Sequence, residues 1–329
     1  MSTALLNGKV YIDREKFAEA IFIENGLIKA VGSNEEILLM VDKDTEKIDC
    51  KNKTVLPGFN DSHMHFMQLG ETMNQAQIAD CSSIDEIIEV CRKFINDYPD
   101  KVKKGLHASG WNQDQFGDSD KMPDRFDLDK ISTDIPIVLE RVCGHIVSSN
   151  TKIIEMLGID GNSPQFPEGS FLIGKDGYPS GIYTGNACNI VKNLIPDFTM
   201  EQRRDILIET MKYVVSKGVT SVQSNDVGTV IMDGPGAFKM FHEVYDSGKA
   251  LLRYRHQVCF NNLDEFKKYL TVGEYFDGKY DKDSWLTLGP LKLFKDGSLG
   301  ARTALMRNGY ADDPSNHGLE WMSNKDMEE

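Results

Sequence analysis

The sequence predicts an α/β protein, with a small antiparallel β region followed by a parallel sheet joined by crossover helices. Three observations carry this prediction. Two Asn-Gly dipeptides, Asn7-Gly8 and Asn25-Gly26, each lie between short apolar runs. Asn-Gly tolerates the positive φ angles of a type I′ turn, which makes it a strong hairpin signal. From Val219 onward, apolar strand-like runs alternate with segments of helical period, the rhythm of strands linked by helices. Between these regions, the stretch from Leu56 to His65 passes through Pro57-Gly58, an abrupt turn signal, into an extended run.

The elements follow in order. Residues 4–6 and 10–12 flank Asn7-Gly8, and residues 20–23 and 27–31 flank Asn25-Gly26, so residues 4–31 read as hairpins of one sheet with residues 54–56 as its exit. Ser83 and Glu86 stand at capping-box spacing, and Ile84, Ile87, Ile88, Cys91, Phe94 and Ile95 recur at helical period, predicting a helix over 83–97 that Tyr98-Pro99 ends. Residues 106–111 read as a short strand and 135–142 as a more apolar one running into Cys143-Gly144-His145. The polar and acidic stretch 118–134 between them reads as a surface excursion. Residues 158–185 shift to Gly, Pro and Ser, with 170–173 and 180–183 around Lys175-Asp176-Gly177 forming an inserted hairpin. Thr199 and Gln202 open another capped helix with Leu207, Met211, Val214 and Val215 on its apolar face, and Gly218 stops it. Then come a strand at 219–223, a helix at 238–246 ended by Gly248, a strand at 251–260, a helix at 263–270 and a strand at 285–294.

The 329 residues suffice for one large domain or two modest ones. With 51 acidic against 37 basic residues and a formal charge of −14, the chain lacks the Lys and Arg excess that neutralises phosphates, which argues against a nucleic-acid partner. No run approaches the ~18 apolar residues of a membrane span, so no membrane partner is expected. Six cysteines lie far apart with no C-x-x-C pair, as in a reduced compartment. The opening Met1-Ser2-Thr3-Ala4-Leu5-Leu6 has no basic or apolar leader pattern. The expected location is the cytoplasm, and a homo-oligomer is compatible with it.

His63 and His65 stand one residue apart at the end of the extended run. Side chains on a strand alternate faces, so both imidazoles point the same way with Met64 opposite, and together they can grip one divalent metal. Asp61 shares that face on a regular strand and is placed to orient a ligand from behind. A bare His-x-His pair is otherwise two ordinary polar residues.

Four blocks in order resemble a known family. Leu56-Pro57-Gly58-Phe59-Asn60-Asp61-Ser62-His63-Met64-His65 is similar to the signature that opens the barrel in the amidohydrolase superfamily. Residues 291–304, Leu-Lys-Leu-Phe-Lys-Asp-Gly-Ser-Leu-Gly-Ala-Arg-Thr-Ala, resemble its amidohydrolase 3 branch, which includes N-substituted formamide deformylase-like enzymes. Gly110-Trp111-Asn112-Gln113-Asp114 and Cys143-Gly144-His145 resemble further blocks of that branch. The resemblance implies a partial TIM-type (β/α) barrel over residues 57–329, with an inserted segment at about 100–198. It further implies that residues 1–56 are a small β domain, half of a composite β-sandwich. The implied activity is metal-dependent hydrolysis of a C–N bond, amide or N-formyl, in a small-molecule substrate. The implied cofactor is a divalent metal such as zinc, with one or two ions in a complete enzyme.

By the same resemblance, Lys292 is the position that becomes a carboxylated bridge between two metals. A lysine aimed into an enclosed interior loses hydration, which favours the neutral amine that captures carbon dioxide; an edge lysine snorkelling to solvent is the alternative. Lys295 faces the other way on a straight strand. Asp296 reads as a catalytic group at the strand end or as a turn cap, and His145 as a substrate-facing catalytic group or a structural histidine. Trp111 walls the pocket or packs in the core, and Arg302 meets a substrate carboxylate or lies on the surface.

The sequence departs from the family pattern after the Lys292 block. The strand-end histidines and aspartate that complete a binuclear site have no counterpart here, so the expectation is the N-terminal portion of a longer enzyme, with an open sheet edge. Two rivals accompany the hydrolase reading: a noncatalytic remnant or association module, and a hydrolase of ester or phosphate bonds.

Overall fold

Asn25 and Gly26 take φ angles of 53° and 76°, and the strands they join, β4 (Ala20–Glu24) and β5 (Leu27–Gly32), pair antiparallel as the Asn-Gly signal predicts. This computed structural model describes residues 2–117, 121–260, 263–264, 266–267, 284–299 and 302–328. The helix expected at 263–270 lies largely outside the described residues.

Contacts divide the chain into two compact units, Met1–Asn60 with Gly218–Ser221, and Asp61–Lys217 with Val222–Glu329. In the first unit the expectation of one antiparallel sheet is corrected. β1 (Ser2–Leu6) pairs antiparallel with β4 and parallel with β6 (Glu46–Asp49), giving the order β5-β4-β1-β6. β2 (Lys9–Asp13) belongs to a separate sheet, antiparallel to β3 (Lys16–Ala18) and parallel to β7 (Thr54–Val55). Asn7-Gly8 is therefore not a hairpin turn. Asn7 does adopt φ 54°, but it passes the chain from one sheet to the other. The positive φ that the dipeptide encodes is local, whereas the choice of partner strand is made by distant residues. Ala4, Ala20, Phe22 and Ile37 form this unit's core, Ile37 coming from α1 (Asn34–Leu38), which the Ser33–Glu36 capping box starts.

In the second unit, α3 (Ile84–Asp97) begins at Ser83, whose hydroxyl accepts the Glu86 N–H at 3.1 Å. The Glu86 carboxylate turns instead to the N–H and hydroxyl of Ser82, so only half of the expected box forms. α3 packs its Ile87, Ile88 and Cys91 into a core with Leu106, Ala108 and Trp111 of β9 (Leu106–Trp111) and Ile137 and Leu139 of β10 (Ile137–Arg141). β9 and β10 are parallel. β11 (Ile146–Ser149), β13 (Pro179–Gly185) and β12 (Gly169–Ile173) extend the sheet antiparallel, in the order β12-β13-β11-β10-β9. β12 and β13 are the hairpin expected around Gly177, which has φ 77°.

Residues 118–134 are not a simple surface excursion. They contain α4 (Arg125–Asp129), started by an Asp124–Asp127 capping box and burying Arg125, Asp127 and Leu128. These charges are tolerated inside because each is paired, Asp127 with Lys121 and Lys130 and Arg125 with Asp176.

The last sheet has the order β16-β15-β14-β8, from β8 (Phe59–Met64), β14 (Val219–Ser224), β15 (Arg253–Cys259) and β16 (Leu286–Lys292), with β15 and β16 parallel. It is an open sheet, and no closed barrel forms among the described residues. β14 follows α7 (Met200–Ser216), which has the predicted Thr199–Gln202 capping box. α8 (Gly234–Asp246) starts four residues earlier than its apolar period suggests, because Asp233 caps it and Pro235 fits its first turn. No described helix is long and apolar enough to cross a membrane.

Candidate metal centre

β8 ends at Met64, and α2 (Phe66–Met73) begins two residues later, so His65 is the single junction between strand and helix. Its backbone, at φ −111° and ψ 79°, makes the turn without a side-chain cap of its own. The cap comes from the end of β14. Ser224 Oγ accepts the Phe66 N–H at 2.8 Å, and Asp226 Oδ1 accepts the Met67 N–H at 2.9 Å. α2 is then held against α7, where the buried Arg203 guanidinium meets Glu71 at 2.7 Å and Asp197 at 2.7 Å. Gly70 lies so close to Thr210 and Ile206 that a Cβ would sit 2.2 Å from Thr210 Oγ1.

His63 and His65 do share a side, with ring centroids 5.6 Å apart and planes at 72°. The His63 ring is held by Gln257 of β15, whose Oε1 lies 2.8 Å from Nδ1. The Gln257 amide nitrogen donates to Ser62 O at 3.4 Å, which fixes Oε1 as the atom facing the imidazole. The proton of His63 thus belongs on Nδ1, leaving the Nε2 lone pair open. Asp61 meets the His63 backbone, accepting its N–H at 3.2 Å, rather than its ring. His65 is pushed below the usual histidine range, first by burial and then by the charges of His63 and Lys292.

Lys292 is near enough for its charge to act on His65, although β16 and β8 are the two edges of their sheet. Lys292 ends β16 opposite Cys259, with its Nζ 4.8 Å from the centre of the Phe294 ring. Among the described residues no group of three His, Cys, Asp or Glu side chains is placed to hold a metal, so no carboxylate or third imidazole joins the two histidines. Two imidazoles on one side offer two nitrogen donors of the kind a divalent metal takes, and burial and neighbouring charge favour the uncharged form of His65.

The other candidates lie elsewhere. Trp111 is wholly buried in the α3–β9–β10 core, its indole N–H donating to Leu139 O at 3.0 Å, so its place is core packing rather than a pocket wall. His145 does not end a strand. It is an exposed turn residue between β10 and β11, and its carbonyl accepts a contact from Cys188 Sγ at 3.4 Å. Asp296 Oδ2 accepts the Leu305 N–H at 2.7 Å, the turn-capping alternative, and Arg302 forms an ion pair with Asp312. Among the described residues none of these four is hydrogen-bonded or ion-paired to His63 or His65.

The sequence pattern of the amidohydrolase family matches residues 46–329. The chain belongs to the amidohydrolase superfamily, in its amidohydrolase 3 branch. It is 30% identical over 305 residues to the putative amidohydrolase YtcJ of Bacillus subtilis, covering 92% of this chain and 55% of that protein. It is 25% identical over 221 residues to the N-substituted formamide deformylase of Arthrobacter pascens, covering 64% of this chain and 39% of that one. An uncharacterized metal-dependent hydrolase from Pyrococcus furiosus superposes with a TM-score of 0.73 at 27% identity, over 99% of this chain and 63% of that structure. This amidohydrolase chain thus spans about half the length of the curated relatives it matches.

Sequence reasoning missed Gln257, Ser224, Asp226 and Tyr254, whose hydroxyl donates to the Asp226 carboxylate. A signal for two of them was present, because Ser224-Asn225-Asp226 is a polar trio where an apolar strand ends, the position at which α/β enzymes place functional groups.

Proposed function

We propose that this amidohydrolase acts as a metal-dependent hydrolase of a C–N bond, amide or N-formyl, with His63, His65 and Lys292 as metal ligands and zinc as the metal. In this reading residues 57–329 supply the first strands of a TIM-type barrel, and residues 1–56 a small β domain. The observation that carries it is the pair of imidazoles on one side at the end of β8, with ring centroids 5.6 Å apart; the influence of the Lys292 charge on His65 supports the third ligand. Gln257 keeps the His63 proton on Nδ1, so Nε2 is the ligating atom. Partial desolvation and the charges of His63 and Lys292 lower the His65 pKa, which favours the uncharged form that binds metal. Lys292 contributes its amine or, after the uncharged amine adds carbon dioxide and releases a proton, a carbamate oxygen. A metal held there supplies Lewis-acid polarisation of an amide carbonyl and lowers the pKa of water.

The test is zinc binding to the purified chain by titration calorimetry, beside His63→Ala and His65→Ala, with N-formyl and aryl-amide hydrolysis assayed on the same samples. Stoichiometric zinc and hydrolysis, both lost in the variants, are expected. A chain that takes up no zinc and hydrolyses neither substrate overturns the reading. A second reading, a binding module without catalysis, is favoured by the exposure of both histidines and the lack of a third His, Cys, Asp or Glu beside them. It predicts no hydrolysis even in excess zinc.

A further inference from the structure

We propose that Asp226 is a positioning residue for His65, setting the direction in which that imidazole faces its metal. The inference rests on His65 being a ligand, as above, but its geometry stands independently. His65 has no cap of its own, yet the backbone on both sides of it is fixed by one short segment at the end of β14. Ser224 Oγ reaches Met64 O at 2.8 Å and accepts the Phe66 N–H, while Asp226 Oδ1 accepts the Met67 N–H. Asp226 Oδ2 in turn takes the Tyr254 hydroxyl and contacts Ser224 Oγ at 2.9 Å. Asp226, Ser224, Phe66 and Met67 are fully buried, and Tyr254 is 1% exposed.

A fully buried carboxylate without a cationic partner is costly, and an apolar residue would fill the same volume more cheaply. What an apolar residue cannot do is accept at two places at once. Asp226 ties the first turn of α2 to Tyr254 on β15, the strand that carries Gln257. The same strand therefore orients His63 directly and His65 through Asp226, which couples the two rings. The start of α2, where the helix dipole favours negative charge, suits a carboxylate.

The experiment uses the full chain as Asp226→Ala, Asp226→Asn and Ser224→Ala, with Leu128→Ala as a core control away from this segment. Zinc affinity is measured by calorimetry, and the nuclear Overhauser contact between the His63 and His65 rings by NMR in metal-free protein. The expected result is zinc affinity about 10- to 100-fold weaker in Asp226→Ala with loss of the ring–ring contact. Asp226→Asn, which keeps an acceptor for Met67, restores both, and Leu128→Ala changes neither. A folded Asp226→Ala chain that retains the ring–ring contact overturns the proposal. Should Asp226→Ala not fold, Ser224→Ala decides by the same two readouts. If the unaltered chain binds no zinc, the ligand reading fails, while the ring–ring contact still tests the positioning of His65.

Discussion

Gln257 grips His63 across the width of an intervening strand, with 2.8 Å between its Oε1 and the imidazole Nδ1. Replacing Gln257 with Leu keeps the volume and removes the acceptor that fixes the tautomer. Zinc affinity is expected to fall by about 10- to 100-fold, with little change in melting temperature because the residue is only partly buried. Unchanged affinity by calorimetry would remove Gln257 from the site.

His256 is expected to contribute to acid unfolding. It is fully buried among Phe238, Phe241 and Tyr254, and neither ring nitrogen has a hydrogen-bond partner among the described residues. Burial pushes it down to about 3 from 6.5. A histidine depressed in the folded state takes up fewer protons than in the unfolded chain, so its contribution is intact above pH 6.5 and lost as pH falls toward 3. The loss is on the order of 5 kcal/mol. His256→Phe is expected to shift the acid midpoint, followed by circular dichroism, to lower pH; an unmoved midpoint refutes this.

Asp226 has the opposite sign. Burial raises it from 3.8 to about 6, so the folded chain holds a proton that the unfolded chain has already lost. Its contribution is fully present below 3.8 and disappears as pH rises through 6, on the order of 3 kcal/mol. Urea denaturation of Asp226→Asn and the unaltered chain should show the variant gaining about that much relative stability between pH 4 and 7. A gap that does not depend on pH contradicts the assignment.

Gly70→Ala forces a methyl group to within 2.2 Å of Thr210 Oγ1 and 2.7 Å of Ile206 Cγ2. The overpacking is expected to cost about 1–3 kcal/mol, and because α2 follows His65 directly, zinc affinity falls with it. Adding Thr210→Ala should recover part of the stability. Strict additivity of the two changes would mean that the helices do not meet there.

The sequence makes local structure legible and distant partnership much less so. The Asn25-Gly26 hairpin, the Thr199–Gln202 cap and strand 106–111 are encoded within a few residues, and each is found where its residues predict. Asn7-Gly8 encodes the same local bend, but strand pairing with β4, β6 and β7 decides what that bend connects. At the site, the alternation of His63 and His65 is local and was readable. Gln257 is an ordinary polar residue until the fold carries it to His63, and for Asp226 the sequence offers only a polar trio at a strand end, with nothing to say that it caps the helix after His65. Trp111, read beside a polar block, is claimed by the core because its indole finds a carbonyl on the neighbouring strand.

The caps on either side of His65 reach Met67 from 159 residues away and Met64 from 160, and the amide that holds His63 reaches it from 194. During synthesis at about 5–20 residues per second, the two imidazoles therefore leave the ribosome roughly ten to forty seconds before the groups that hold them. For that interval the two rings stand on an unfinished sheet, and in the proposed reading zinc taken up early would be bound without the bracing that later orients them.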